Sequence, residues 1–169
     1  MKTLIKILTL VALVAGLATL TIAATDTATS TVSITFSEIA ELAVSGNPSP
    51  LTIATATAGS LPDDQTDATT TMAWTSNVAA SQTRKITGSI ASLFNGIDLY
   101  ATVVVTGSCG SSAGEQKLIE TDTDFVTGIG NCITGTPGGT ITFRADVTSM
   151  VAPYASTQKV VTWTLTDDV

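Results

Sequence analysis

Apolar and polar side chains alternate along most of this chain. In Thr31-Val32-Ser33-Ile34-Thr35-Phe36, the residues Val32, Ile34 and Phe36 fall on one face and the hydroxyl residues on the other. That is the period-two signature of a half-buried strand. The same signature predicts strands over residues 51–54, 69–76, 84–90, 99–106, 138–145 and 159–166. Met72 and Trp74 share a face. Ile86 and Ile90 point inward with Thr87 and Ser89 outward, and Leu99, Ala101, Val103 and Val105 oppose Tyr100 and Val104. Ile141, Phe143 and Ala145 alternate with Thr142 and Arg144, and Val161, Trp163 and Leu165 alternate with Thr162 and Thr164. Shorter pieces fall at 117–119 and 125–126. Clusters of Gly, Pro, Asn and Asp separate these runs. Residues 37–44 alone suggest a turn of helix, and residues 54–67, poor in large side chains, read as a long surface loop. Short strands at regular spacing predict an all-β fold, an antiparallel β-sandwich, Ig-like or jelly-roll-like, of about seven to nine strands.

The start of the chain breaks this pattern. Lys2 and Lys6 precede an apolar run over residues 7–24 that ends in the small residues Thr21, Ala23 and Ala24. A basic start, an apolar stretch and small residues at its end describe a secretory signal peptide. Cleavage after Ala23 makes residues 1–23 the signal and 24–169 a single domain that opens on a small, polar, flexible arm, 24–30. The competing reading is a retained anchor, but about 18 residues is the lower limit of a membrane span. The expected location is extracellular or on the cell surface, with no membrane attachment after cleavage.

Composition narrows the function. Asp and Glu number 14 against 7 Lys and Arg, for a net charge of −7, and both Lys2 and Lys6 fall in the signal. Nucleic acid needs a basic surface, so it is not an expected partner. Histidine is absent, which removes Ser-His-Asp and Cys-His nucleophile systems and every His-ligated zinc site. The chain is read as non-enzymatic and without a cofactor. Cys109 and Cys132 are the two cysteines, and in an exported protein such a pair is expected to form a disulfide. Two acidic clusters invite a calcium test: Asp63, Asp64 and Asp67 in one loop, and Glu120, Asp122 and Asp124, which would share one side of an extended segment. Neither follows the EF-hand spacing, and solvated loop carboxylates are the simpler account. Trp74 and Trp163 could offer a sugar-stacking face, but their apolar neighbours in alternating strands assign them to the core. Tyr100 and Tyr154 are the aromatics better suited to surface contact.

The leader, the polar arm Ala24 to Ser30, and Thr-rich alternating strands ending in Thr162-Trp163-Thr164-Leu165-Thr166 give the chain a layout that resembles secreted β-sandwich subunits of surface filaments. These are the donor-strand-complemented pilins and TasA-like fibre proteins. The resemblance implies self-association into a homopolymer by β-strand addition, with Val32, Ile34 and Phe36, or the arm before them, entering a neighbouring subunit. The ordinary alternative makes residues 31–36 the first strand of their own domain. A second functional expectation is a secreted module that binds a glycan or surface partner with or without calcium.

Overall fold

The computed structural model describes residues 26–168; the expected signal peptide and its cleavage site lie outside the described residues. Those residues fall into two units, one ending at Thr35 and one beginning at Phe36. In the first, residues 26–35 carry no regular secondary structure.

The second unit is all β, with no helix among the described residues. Its long strands are β1 (Ile39–Ser45), β2 (Gln65–Asn77), β3 (Arg84–Ile90), β4 (Ile97–Val105), β7 (Thr123–Ile129), β9 (Gly139–Val147) and β10 (Val161–Asp167). Three two-residue pieces complete the set: β5 (Ser111–Ser112), β6 (Gln116–Lys117) and β8 (Cys132–Ile133). One sheet runs β1-β2-β9-β4-β6 with β8 attached to β2, and the other runs β10-β3-β7-β5. Every named pair is antiparallel. Two antiparallel sheets enclosing one apolar core are consistent with a β-sandwich.

The core follows from the alternation. β9 is the clearest case: Gly139, Ile141, Phe143, Ala145 and Val147 are buried, and the residues between them are not. β2 turns Met72 and Trp74 inward, and β4 adds Ala101 and Val103. From the opposing sheet come Ile86, Ile90, Phe125, Val126 and Ile129. Phe125 meets Trp163 edge-on, ring centroids 4.9 Å apart. Gly88 makes room for that pair, since a Cβ there would stand 2.8 Å from the Trp163 ring and 2.9 Å from Phe125.

Several expectations are corrected. Residues 31–36 form no strand despite their alternation, and neither do residues 51–54. The first strand lies instead at Ile39–Ser45, overlapping the stretch read as a turn of helix, because seven residues there find partners on β2. The loop expected over 54–67 ends earlier, as β2 already begins at Gln65. A register shift between Asp67 and Thr70 lets β2 run on past its apolar segment. Thr87, expected outward and wet, is buried with its hydroxyl unpartnered.

A buried cation ties the strand ends together. The Arg84 guanidinium donates to the carbonyls of Ile39 (2.8 Å) and Asn77 (2.9 Å) and to the Ser76 hydroxyl (3.3 Å). It also pairs with Glu38 at 3.4 Å and Asp167 at 3.2 Å. The planar fork with five donors suits one residue to reach so many acceptors at once. The start of β1 is thus fastened to the ends of β2, β3 and β10.

Candidate functional site

The free edges of the two sheets create the site. β1 closes one end of the larger sheet and β10 one end of the smaller, and the two strands lie side by side. Between them opens a cleft of about 1600 Å³. Leu42 and Val44 of β1 form one wall, Val161 and Trp163 of β10 the other, and Phe143, Ala145 and Leu99 lie at its base. The loops on either side, around Pro48 to Ala56 and Ser149 to Val160, extend the walls. Trp163 is therefore both a core residue and a face of the cleft, whereas Trp74 is a buried core residue that does not line it. Thr70 also lines the cleft; it is 2% exposed, and its hydroxyl has no hydrogen-bond partner.

The hydrogen-bond phase of β10 shows which atoms are free. Ala91 N–H donates to the Val160 carbonyl and Asp168 N–H to the Thr83 carbonyl. Antiparallel pairs alternate between bonded and non-bonded. In this register Thr162, Thr164 and Thr166 bond to β3. The main-chain groups of Val161, Trp163 and Leu165 therefore face outward, away from β3.

The residues expected to act in assembly have unusual exposure for their type. Val32, Ile34 and Phe36 are 78%, 88% and 80% exposed. Burying a side chain of this kind contributes about 1.5–3 kcal/mol, so the chain leaves several kcal/mol unused there.

Both acidic clusters are partly engaged by groups of the same chain. Among the described residues no three carboxylate or thiol groups gather as metal ligands. Asp64 is engaged by Arg144 at 2.6 Å. Asp67 accepts the Thr69 amide and hydroxyl, and these bonds hold its carboxyl below the usual range. Asp63 stays in the loop before β2. A bend at residues 120–121 interrupts the extended run that would align Glu120 and Asp122 with Asp124, and Asp124 pairs with Lys85 at 3.3 Å.

On the outer face of the larger sheet, Arg144 binds Glu115 through two hydrogen bonds, 2.8 and 2.9 Å, and lies 4.4 Å over the Tyr100 ring. The guanidinium holds the Glu115 carboxyl below its usual range. Asp98, 2.6 Å from Lys117, raises the ammonium's pKa. Tyr100 is thus occupied by an internal cation, while Tyr154 stays exposed.

Cys109 and Cys132 both lie against Trp74, whose indole N–H donates to the Cys109 carbonyl at 3.2 Å. Both are free thiols in the structure, near enough that Cys109 weighs on the ionisation of Cys132. Burial first, and then the neighbouring Cys109 thiol, push the Cys132 thiol from 9.0 up to about 12. The expected disulfide is open here, with its partners already adjacent. Oxidised glutathione is expected to close it by thiol–disulfide exchange, lowering the mass by two hydrogens and stabilising the fold by about 3 kcal/mol. Intact-mass spectrometry and denaturant titration check both effects. A raised folded-state pKa means that the unfolded thiol ionises first. The reduced protein should therefore lose stability as pH rises from 9.0 to about 12, and closing the bond should remove that loss.

Sequence patterning had singled out Val32, Ile34 and Phe36 but not the open edge of β10, Thr70 or Arg84. Trp163-Thr164-Leu165 carried a signal, since its alternation matches that of residues 31–36. Among known proteins, no family model, no curated sequence and no solved structure matches this chain.

Proposed function

We propose that this chain is a secreted structural protein of the cell surface, a filament subunit that joins its neighbours by β-strand addition. The carrying observation is the segment of residues 31–36, patterned as a half-buried strand yet exposed and unpaired among the described residues. Extended segments find partners at open sheet edges, where main-chain hydrogen bonds give affinity and alternate side chains give specificity. In this reading the two sheets are the faces of an Ig-like or jelly-roll-like sandwich, residues 1–23 direct export, and the product is a homopolymer.

Negative-stain electron microscopy of the exported protein at high concentration, beside a variant lacking residues 24–36, tests the reading. Filaments are expected from the complete mature chain and none from the deletion, with the β circular-dichroism spectrum kept in both. Monomers in both samples would overturn self-assembly and turn attention to a secreted module that binds a glycan or surface partner.

A further inference from the structure

We propose that the acceptor for this strand addition is the free edge of β10 with the cleft beside it, and that its occupant is residues 31–36 of a second copy of the chain. The proposal rests on the filament reading above and identifies the surface that reading requires.

Four observations converge on β10. First, the patterns match. β10 turns Val161, Trp163 and Leu165 toward the core and Thr162, Thr164 and Thr166 outward, and residues 31–36 repeat that order with Val32, Ile34 and Phe36 against Thr31, Ser33 and Thr35. A strand of this composition continues the sheet with both faces unchanged in character. Second, the lengths match, because six extended residues span about 20 Å and β10 offers seven. Third, the main-chain groups of Val161, Trp163 and Leu165, unpaired among the described residues, provide the ladder that such a strand needs. Fourth, the cleft holds the buried hydroxyl of Thr70 without a partner. A buried hydroxyl left unsatisfied costs about 1–3 kcal/mol, which favours a peptide, with its hydrogen-bonding atoms, over a purely aliphatic occupant.

The other edges fit worse. β5 and β6 are two residues long, too short to hold six. β1 is long enough but carries Glu41 at its centre, and a charge on an edge strand opposes pairing. The apolar wall that β1 contributes, Leu42 and Val44, faces the incoming side chains instead.

The test uses the full chain carrying single substitutions, one in the arm and one in the acceptor. Ile34→Asp places a carboxylate where the strand should enter the cleft. Val44→Lys places a cation in the cleft wall at a residue that is 40% exposed, so folding should survive. Each variant alone is expected to lose filaments in electron microscopy while keeping the parent's melting curve. Mixed one to one, the intact arm of the Val44→Lys chain should enter the intact cleft of the Ile34→Asp chain. The product should be a capped heterodimer by light scattering and native mass spectrometry.

Should Val44→Lys melt early, Val161→Pro replaces it. That substitution removes an outward N–H without breaking a bond to β3, and it too should abolish filaments. Filaments from both acceptor variants, with Ile34→Asp inactive, would overturn the β10 site and leave the filament reading standing. Filaments from Ile34→Asp as well would overturn strand addition by residues 31–36, whereas a parent chain without filaments would overturn the filament reading itself. A monomer whose residues 31–36 become protected from hydrogen exchange at high dilution would show insertion into the same chain, and would overturn the second-copy assignment.

Discussion

Phe125→Ala is expected to destabilise the protein by about 3–5 kcal/mol, the largest effect of any single truncation in this fold. Phe125 is the bulkiest of the fully enclosed side chains. Its edge-on contact with Trp163 joins the centre of β7 to β10 across β3, where Gly88 leaves the space that both rings fill. Removing the ring subtracts its transfer free energy and leaves a void that close-packed neighbours cannot fill. Domains of this size hold about 5–15 kcal/mol in total, so the variant should unfold early or lose cooperativity. Thermal denaturation followed by circular dichroism checks this. Phe125→Leu, which keeps most of the volume, should cost much less. Equal losses from Ala and Leu would mean that the aromatic contact, not the volume, holds β10 in place.

The same contact connects stability to assembly. Trp163 is held from beneath by Phe125 and exposes its other surface to the cleft. A core that fixes the Trp163 ring also fixes the wall against which an added strand would pack. For this reason the proposed acceptor edge can remain open in the isolated chain without collapsing inward.

Much of this architecture was legible in the residues, and the failures have a common cause. β3 was placed over its observed bounds, and β4, β9 and β10 within two residues, because each alternates and has partners close at hand. Residues 31–36 alternate as cleanly as any of these, yet form no strand. Alternation reports which face a strand would bury, not whether a partner exists in the same chain. The converse error occurred at β1. Ile39-Ala40-Glu41-Leu42-Ala43-Val44 lacks strict alternation, and its Glu and Ala residues favour helix. Seven residues of pairing with β2 override that preference. The acidic clusters show a third limit, since sequence proximity says nothing about the cations folded against them. Asp64 meets Arg144 from 80 positions away, a contact that spacing could not reveal. The cleft itself was illegible for the same reason, being formed where β1 and β10, from opposite ends of the domain, come together.

Arg84 supplies the other large expected effect, and its size depends on which of its contacts are dry. Its carboxylate partners remain wet, with 57% of the Glu38 side chain and 75% of the Asp167 side chain exposed. Exposed ion pairs contribute about 0–1 kcal/mol, so Glu38→Gln and Asp167→Asn should each be nearly silent. The carbonyls of Ile39 and Asn77 are different, because the guanidinium is the buried donor that satisfies them. Leaving each unsatisfied costs about 1–3 kcal/mol, so Arg84→Met should lose about 4 kcal/mol in denaturant titration. Arg84→Lys keeps the charge but not the fork and should fall between Met and the parent. The loss should also be local before it is global. Ile39 opens β1 and Glu38 precedes it, shortly after residues 31–36, and the Asn77 side chain holds the same point by accepting the Ile39 amide and donating to the Ser37 carbonyl at 3.0 Å. Hydrogen exchange in Arg84→Met should therefore accelerate first along β1, then in the rest of the larger sheet. Uniform acceleration across both sheets would mean that Arg84 supports the whole core instead of the point where the N-terminal segment is fastened. In the filament reading that point carries load from one subunit to the next. Arg84→Met filaments should therefore fragment under shear at temperatures where the parent's remain intact, a difference that electron microscopy of sheared samples would count.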